Sequence, residues 1–517
     1  MKLTAKSLFV LVLFATVAAH AQYPPNSFKH VILIVQENRT PDNLFQGLCS
    51  VRTCGTGVGD YDIASTWTDS TATPHPLESV GLAANYDLSH NHGGTNGGFN
   101  FELINPGTPV PGACGTNVFG CAPDDAQFKF VFNTPVTNKD GSAGHLLDPY
   151  VTLASQYGWA NKMFQTNQGP SYPAHQFLFG ATSAPGVNEA ATQTNDSTGV
   201  FIAENGPFTN VGCAAINNPK VQLVRPIIPM PPNPPFGTET TGDTVSPCFD
   251  HVTMSDLLDM KSLHWRYYAP TEPNPGNANI AGGIWTAPNS LSHMCTPVNN
   301  QCTGPDWTPG AANGYIDLHP ADILTDIQNC NLQSMSWVIP DGRWSDHPGG
   351  GQGTGPAWVA AIVNAIGNSK GTVACNYWDD PTNATAIFIT WDDWGGWFDH
   401  VPPVILTNTS TYVDQYDYQL GFRVPLIVVS AYTGTTSAGI VNNNQHDFGS
   451  ILRAIEGIFA LPGGEGALGF ADKRATNDLS AFFNFSQTPH AFTTIPAVLG
   501  ASDFINATGA PMAPDND

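Results

Sequence analysis

The chain has 517 residues, 41% of them hydrophobic, which is enough to bury a large core and argues against a disordered protein. Asp and Glu number 42 against 18 Lys and Arg, so the formal net charge is -24. That charge disfavours nucleic-acid binding and stable docking on anionic lipid, because no basic stripe is available to neutralise phosphates.

The N-terminal segment has the features of a signal peptide. Two lysines precede an apolar stretch from Leu8 to Ala19, and an A-x-A cleavage site ends at Ala21. We therefore expect residues 1–21 to be removed and the protein to be secreted or periplasmic. An uncleaved membrane anchor is the alternative, which the shortness of the apolar stretch disfavours, and we expect no stable membrane insertion.

Ten cysteines, an even number in a chain expected to be exported, predict disulfides. Zinc ribbons are the competing interpretation, but the chain contains no C-x-x-C pair. Connectivity is not fixed by sequence alone, although several cysteines lie close together. The local pairs are Cys49 with Cys54, Cys114 with Cys121 and Cys295 with Cys302, and Cys213 with Cys248 and Cys330 with Cys375 would complete the set.

Short apolar runs bounded by turn residues predict buried parallel strands. In chain order they are HVILIVQ from His30, SMSWVIP from Ser334, ATAIFITWDD from Ala384 and RVPLIVVSAY from Arg423. Apolar residues at three- and four-residue spacing predict helices at Ala357–Ser369 and Phe448–Leu461. The alternation predicts an α/β fold, in which a mostly parallel central sheet is covered by helices on both faces.

Long segments rich in Gly, Pro, Asn and Thr separate these elements, at residues 49–146, 183–248 and 270–320. They contain eight of the ten cysteines. We expect disulfide-stapled insertions that wall a site, because unstructured loops of this length in a compact domain are usually functional. Residues 22–517 are accordingly expected to form a single domain.

Polar side chains end two of the predicted strands. Glu37 and Asn38 follow the first strand, and Asp392 and Asp393 follow the strand that begins near Ala384. Ligands of open parallel sheets bind beyond the carboxyl ends of the strands, and three carboxylates with an amide oxygen suit a divalent cation. Ordinary turn chemistry is the alternative, since Asp and Asn favour strand ends anyway.

Three histidines lie in loops near such strand ends and are candidates for metal binding or proton transfer. His90 lies in DLSHNH, His347 in SDHPGGGQG, and His400 in DDWGGWFDHVPP. His92 and His264 are interpreted as solvated side chains.

Ser171, in NQGPSYPAHQFLFGATS, is a candidate nucleophile. It stands where the AHQFLFG pattern predicts that a helix begins, and the free N–H groups and dipole of a helix N-terminus favour a phosphate or oxyanion. A plain N-cap serine is the alternative. The segment is not a G-x-S-x-G nucleophile elbow.

Together these residues resemble the bacterial phosphoesterase family that contains non-haemolytic phospholipases C and secreted acid phosphatases, a branch of the alkaline phosphatase superfamily. Five blocks match in order, and GFRVPLIVVSAY with HDFGSILRAIEGIF looks like the closing strand and helix, so the resemblance covers about residues 29–461. The five blocks are E-N-R-[ST] at Glu37–Thr40, DLSH ending at His90, G-P-[ST] at Gly169–Ser171, SDHP at Ser345–Pro348 and DDWGGWFDHVPP from Asp392.

The resemblance implies an alkaline-phosphatase-like fold and a site for one divalent cation, for which calcium, zinc and manganese are all plausible. Ser171 would be the nucleophile. The implied metal ligands are Glu37, Asn38, Ser171, Asp392 and Asp393. The resemblance also implies that His90, His347 and His400 contact the phosphoryl group or the leaving group.

The implied activity is hydrolysis of a small-molecule or lipid head-group phosphate ester by way of a phosphoserine. A phospholipase C-type diester is favoured, because Arg39 and Arg343 are the only cations near the proposed ligands. Trp394, Trp397 and Tyr172 offer aromatic faces for a quaternary ammonium such as choline, and the alternative is that they only pack the walls of the site. The alternatives are an acid phosphatase, a non-catalytic secreted binding protein on the same fold, and a sulfatase. The sulfatase requires an arginine four residues after Cys or Ser, and His175 occupies that position.

Three departures from the family pattern lie close to the proposed site. Thr40-Pro41-Asp42-Asn43 replaces the common S-F-D-H, and Pro173-Ala174-His175 replaces the common P-N-R that follows the nucleophile. Asp393 stands where many relatives carry Glu. We expect these changes to alter the substrate specificity more than the metal-assisted reaction, because every implied ligand is still an oxygen donor.

Overall fold

The structure is a computed structural model of the chain. It describes residues 23–24, 27–69, 71–88, 90, 126–184, 202–205, 211–216, 219–225, 227–228, 240–274, 277–281, 283–309, 314–349, 351–372, 374–406, 417–434 and 439–512. The predicted signal peptide lies outside these residues.

A central sheet of eight strands organises the described residues. The strands are β1 (His30–Gln36), β2 (Gly158–Phe164), β3 (Trp265–Tyr268), β4 (Gly314–Asp317), β5 (Met335–Val338), β6 (Thr385–Trp391), β7 (Leu426–Val429) and β8 (Ile440–Asp447). Their spatial order is β4-β3-β5-β1-β6-β7-β2-β8. Seven strands run parallel, and β7 is antiparallel to both neighbours, β6 and β2.

Helices cover both faces of this sheet, which explains why every residue of β1 and β6 is buried. The helices are α1 (Pro41–Leu44), α2 (Asp148–Gln156), α3 (Ser171–Gly180), α4 (Met254–Met260), α5 (Asp322–Gln328), α6 (Gly355–Gly367), α7 (Phe448–Phe459), α8 (Ala471–Arg474) and α9 (Ala501–Ile505). Contacts join α2, α5, α6 and α9 into one group and α3, α4, α7 and α8 into a second.

The predicted α/β class and the mostly parallel sheet are confirmed. All four predicted strands are present, and the two predicted helices correspond to α6 and α7. The expectation that all four strands are parallel is wrong for β7. A fully apolar run indicates burial on both faces, but it carries no information about strand direction.

The predicted disulfide-stapled insertions between the sheet strands are confirmed, and short strands within them also pair into small sheets, which the sequence analysis did not predict. Four of the predicted disulfides are present, namely Cys49–Cys54, Cys213–Cys248, Cys295–Cys302 and Cys330–Cys375. Cys114 and Cys121 lie outside the described residues.

These small sheets have two or three strands each. The five two-stranded sheets pair Thr66–Thr68 with Pro74–Pro76, Glu78–Val80 with Lys129–Val131, Pro135–Thr137 with Ala143–His145, Thr271–Asn274 with Asn277–Ala281, and Thr296–Val298 with Gln301–Thr303. One three-stranded sheet consists of Ile202–Asn205, Val221–Arg225 and Thr240–Val245. The other consists of Ile227–Ile228, Asp417–Gln419 and Ile405–Leu406.

Within the part of the chain that the structure describes, no helix has the length and apolar character needed to cross a bilayer. That residues 22–517 form a single domain stays a prediction.

Candidate active site and metal centre

The predicted acidic residues meet at the carboxyl ends of β1 and β6. These strands are adjacent and parallel, with Gln36 paired to Trp391, so the residues that follow them lie side by side. The backbone N–H of Asn38 donates to Asp392 Oδ1 (3.1 Å). Glu37, Asn38, Asp392 and Asp393 are all fully buried. Sequence reasoning therefore located this edge of the sheet correctly.

The close approach of the two strand ends depends on Gly395. Its φ of +60° is in the left-handed region, and a Cβ at this position would lie 2.5 Å from the carbonyl oxygen of Asn38. Asn38 itself has a φ of +60°, a conformation that Asn adopts more readily than most residues. The Gly395 N–H also donates to Asp393 Oδ1 (2.7 Å), which orients that carboxylate.

Two of the three predicted histidines contact the side chain of Asn38. The Asn38 Nδ2 atom is 3.1 Å from His90 Nε2 and 2.9 Å from His347 Nε2. Each histidine has Nδ1 within 2.6 Å of a backbone carbonyl, that of Leu88 or Pro348, which can only accept. Nδ1 therefore donates and Nε2 accepts, so both hydrogens of the Asn38 amide are used.

That arrangement leaves the side-chain carbonyl oxygen of Asn38, Oδ1, available to a ligand. Oδ1 of Asn38 and Oδ2 of Asp392 are both buried, and neither has a hydrogen-bond partner among the described residues. A buried oxygen in that state carries a free-energy cost of roughly 1–3 kcal/mol unless something binds it. Carboxylate and amide oxygens are hard donors, so the residues fit a divalent cation.

Ser171 is the first residue of α3, and the prediction of a helix beginning there is confirmed. The N-cap is Pro170, without a side-chain capping hydrogen bond, so Ser171 is not the plain N-cap serine considered above. Its hydroxyl Oγ donates instead to Asp393 Oδ2 (3.2 Å). Ser171 is fully buried, and it joins the strand ends at the positive end of a helix dipole.

His175 belongs to the same group, although sequence reasoning treated it only as a departure from the family pattern. Its Nε2 atom is 3.2 Å from Glu37 Oε1 and 3.8 Å from Asp392 Oδ2. Glu37, His175 and Asp392 each offer a ligand atom within 4.8 Å of the others. His175 lies four residues after Ser171, and this spacing on a predicted helix was the available signal.

The structure does not bring His400 to this group. Its Nδ1 is 2.7 Å from Asp42 Oδ2, and its Nε2 is 3.1 Å from Asp62 Oδ1. Burial alone would lower the pKa of His400, but the hydrogen bonds to Asp42 and Asp62 outweigh it and raise that pKa to about 10. Because both ring nitrogens are engaged by carboxylates, the predicted contact of His400 with a phosphoryl or leaving group has no support in its geometry.

The arginines near the site are held by the protein itself. Arg39 is buried, donates to the backbone carbonyl oxygens of Leu82 (2.7 Å) and Asp346 (2.9 and 2.7 Å), and lies over the Trp397 ring. Arg343 donates from Nε to Asp341 Oδ1 (2.9 Å). Neither guanidinium is therefore placed to pair with a second phosphoryl charge.

The aromatic residues proposed as a choline site are also engaged in packing. The Trp394 ring stacks on Phe422 at 3.9 Å between centroids, and the Tyr172 hydroxyl donates to Ser290 Oγ (3.1 Å). Trp285, which sequence reasoning missed, lies beside two histidines of the site. Its ring centroid is 6.4 Å from that of His175 and 6.3 Å from that of His347.

Comparison with known proteins agrees with the resemblance. Residues 143–462, more than half of the chain, match the sequence model of the Phosphoesterase family. The chain is 28% identical over 299 residues to a non-hemolytic phospholipase C of Burkholderia pseudomallei, covering 52% of this chain and 40% of that protein. It is 29% identical over 192 residues to phospholipase C B of Mycobacterium tuberculosis, covering 34% of each.

The similarity to solved structures is more distant. One is a protein in the alkaline phosphatase superfamily from Vibrio parahaemolyticus, with a TM-score of 0.30, 10% identity and 63% of each chain covered. Another is the lipoteichoic acid synthase LtaP from Listeria monocytogenes, with a TM-score of 0.30, 10% identity and coverage of 67% of this chain and 73% of that one.

The chain belongs to the Phosphoesterase family. The aligned region covers less than half the length of each of these two phospholipases C.

Proposed function

We propose that the protein is an exported, metal-dependent phosphoesterase in which Ser171 is the nucleophile. The observation that carries this proposal is the buried contact between the Ser171 hydroxyl and Asp393 Oδ2, at a helix N-terminus and beside the carboxylates that follow β1 and β6. A serine buried among acidic groups has little value for stability, but it is well placed for phosphoryl transfer.

The residues proposed to hold the cation are Glu37, Asn38, Ser171, Asp392 and Asp393. When bound, the cation would supply Lewis-acid charge that favours the ionised serine and stabilises the phosphoryl oxygens. Asp393 orients the Ser171 hydroxyl and is within reach of its proton. The N-terminal end of α3 points its dipole at the same place, which favours a dianionic or monoanionic phosphate there.

In the proposed reaction the Ser171 Oγ forms a bond to phosphorus as the bond from phosphorus to the alcohol oxygen breaks, and the departing alcohol takes up a proton. Water then cleaves the phosphoserine and regenerates the hydroxyl. His90 and His347 are the candidates for the proton donor, because their Nε2 atoms lie within the site, beside Asn38. Each accepts from Asn38 in this structure and would donate only after Nε2 had taken up a proton. His400 is not included.

For the substrate we favour a phospholipase C-type diester with a zwitterionic or neutral head group. Arg39 and Arg343 are both bound within the protein, so neither is offered to the second charge of a monoester. The net charge of -24 disfavours anionic membranes and nucleic acid. The relatives named as phospholipases C are consistent with this choice. An acid phosphatase is the second candidate.

The experiment is a substrate panel assayed on the purified chain with added Ca²⁺, Zn²⁺ or Mn²⁺ and with chelator. The substrates are p-nitrophenyl phosphate, bis-p-nitrophenyl phosphate and p-nitrophenyl phosphocholine. We expect turnover that chelator abolishes and added metal restores, with kcat/KM for the phosphocholine ester at least equal to that for the monoester at pH 5 to 7.

Two outcomes would change the assignment. A preference for the monoester of more than about tenfold, roughly 1.4 kcal/mol in transition-state binding, would indicate an acid phosphatase. An absence of turnover with every metal and substrate would favour the non-catalytic binding protein.

A further inference from the structure

His175 lies within the proposed metal site, at a position where the family pattern has an arginine. It follows Ser171 by four residues on α3, so both side chains project from the same face of the helix. An arginine there would bring a fixed positive charge toward Glu37 and Asp392, whereas an imidazole is a metal ligand in its neutral form. The substitution therefore changes the chemistry of the site.

We infer that His175 Nε2 is a direct nitrogen ligand of the cation, so that the site takes a borderline transition metal of the Zn²⁺ kind in preference to Ca²⁺. The inference rests on the proposed metal site and goes beyond it, because every ligand implied by the family resemblance is an oxygen. Imidazole suits zinc and other transition metals, whereas Ca²⁺ binds almost entirely to oxygen.

The distances agree with shared coordination. Ligand atoms at about 2.1 Å from a tetrahedral zinc ion lie roughly 3.4 Å from one another. His175 Nε2 is 3.2 Å from Glu37 Oε1 and 3.8 Å from Asp392 Oδ2, which brackets that value. Small movements of the side chains would bring all three atoms onto one ion.

Hydrogen bonds from residues before and after His175 hold α3 in position. The Tyr172 hydroxyl donates to Ser290 Oγ (3.1 Å), and Gln176 Nε2 donates to the backbone carbonyl oxygen of Ala287 (3.1 Å). His175 itself is almost fully buried, and its ring lies beside Trp285. A ligand held in this way loses little conformational entropy when it binds a metal.

The test is metal binding by the full chain after it has been stripped with chelator, measured by calorimetry with Zn²⁺ alone and with Ca²⁺ alone. The variant is His175→Gln. We expect it to weaken Zn²⁺ binding at least tenfold and to leave Ca²⁺ binding within about threefold of the unmodified chain. Binding is measured without substrate, so the result does not depend on turnover.

The matched control is His251→Gln. His251 packs against Gly180 at the other end of α3, and its Nδ1 contacts the backbone carbonyl of Val252 (3.0 Å). Its replacement should leave the affinity for both metals unchanged. Circular dichroism of the two variants checks that α3 and the rest of the fold are intact.

A second measurement needs no substitution and therefore holds even if His175→Gln does not fold. X-ray absorption of the Zn²⁺-loaded, unmodified chain should contain the multiple scattering of a coordinated imidazole. A zinc shell made only of oxygen would overturn the inference. So would equal losses of Zn²⁺ and Ca²⁺ affinity in His175→Gln, which would mean that His175 merely positions Glu37.

The outcomes also separate this inference from the proposed function. If zinc binds with an imidazole ligand but no phosphate ester is hydrolysed, only the proposed function fails. If the protein is an active phosphoesterase and His175→Gln keeps the Zn²⁺ affinity of the unmodified chain, only the role of His175 fails.

Discussion

Two groups of buried carboxylates and histidines lie close together beyond the ends of β1 and β6, and the same two sequence blocks contribute to both. The first group, which we call the metal-site group after its proposed role, consists of Glu37, Asn38, His90, Ser171, His175, Asp392 and Asp393. The E-N-R block supplies Glu37 and Asn38 to this group, and Asp42, shortly after the block, belongs to the second group. The DDWGGWFDH block likewise contributes Asp392 and Asp393 to the metal-site group. Its last two residues, Asp399 and His400, join Asp42, Asp62 and Arg423 in what we call the arginine network.

The two groups differ in how their negative charge is balanced. In the arginine network the guanidinium of Arg423 donates to Asp399 through Nε (2.8 Å) and Nη2 (3.0 Å), and Nη2 also reaches Asp42 (3.4 Å). In the metal-site group the basic side chains that the structure describes beside the carboxylates are the imidazoles of His90 and His175, which carry a charge only when protonated.

Buried carboxylates require a compensating cation, and the two groups differ in whether the described residues supply one. The arginine network carries its own cation and joins α1 to the segments around Asp62 and Asp399, so we expect it to stabilise the fold. Among the described residues no guanidinium contacts the carboxylates of the metal-site group, and ligand atoms of Glu37, His175 and Asp392 lie within 4.8 Å of one another. The comparison therefore predicts that substitutions in the two groups separate activity from stability.

The largest expected effect is that of Ser171→Ala on turnover. Removing the hydroxyl should lower kcat/KM by about 10⁴-fold or more, equivalent to roughly 5.5 kcal/mol, because no nucleophile remains. The free energy of unfolding should change by only about 1 kcal/mol, since one buried hydrogen bond to Asp393 is lost. Steady-state kinetics and urea unfolding measure the two quantities.

A Ser171→Ala variant with turnover close to that of the unmodified chain would mean that water attacks phosphorus directly. Ser183→Ala is a suitable control, since Ser183 is also buried but lies beyond the C-terminal end of α3. It should retain activity.

The next effect is on stability, and it belongs to the arginine network. Arg423→Met removes the guanidinium and leaves Asp399 and Asp42 buried without it, which should destabilise the fold by about 3–5 kcal/mol. Metal affinity of the folded fraction should remain within a few fold. If instead Arg423→Met abolished metal binding while the chain stayed folded, the two groups would not be separate units.

His400→Asn should have a smaller effect that depends on pH. The pKa of His400 is raised to about 10 in the folded chain, so its contribution is fully present below its unfolded value near 6.5 and is lost as pH rises toward 10. Hydrogen bonds of this charged kind contribute about 2 kcal/mol. The difference in melting temperature between the unmodified chain and the variant should be largest near pH 6 and should shrink by pH 9.5.

The same variant tests the interpretation of the family resemblance. If His400 belongs to the arginine network alone, kcat at 25 °C should stay within about fivefold of that of the unmodified chain. A loss of more than a hundredfold without unfolding would restore the predicted contact with the phosphoryl or leaving group.

The sequence was informative where chemistry follows directly from a strand end. The sequence alone predicts that Glu37 and Asp392 lie close together, because parallel neighbouring strands end at the same edge of a sheet. His400 could not be placed in this way. It follows Gly395 and Gly396, whose φ values of +60° and +72° redirect the chain, and a sequence does not specify in which direction such a turn leads.

His175 was missed for a different reason. The family resemblance implies a metal site made only of oxygen ligands, and against that pattern a histidine at this position indicates a change in specificity rather than a ligand. The helix prediction already placed it on the same face as Ser171. Trp285 carried no comparable signal, because it lies in a disulfide-rich insertion whose path depends on tertiary contacts.

The smallest predicted effect is the loss of kcat/KM on substitution of Trp285, and it tests whether this residue contacts substrate beside the metal-site group. The indole is buried beside His175 and His347, and its Nε1 has no hydrogen-bond partner among the described residues. We expect this N–H to donate to bound substrate. Trp285→Phe keeps an aromatic ring but removes the donor, so kcat/KM should fall about tenfold, roughly 1.4 kcal/mol, mainly through KM. Trp358→Phe is the matched control, because Trp358 on α6 is also buried with an unpartnered Nε1, but it packs against Trp344 and Phe504. Equal kinetic losses in both variants would mean that Trp285 only fills space. A loss confined to Trp285→Phe would mean that the Trp285 indole contacts bound substrate.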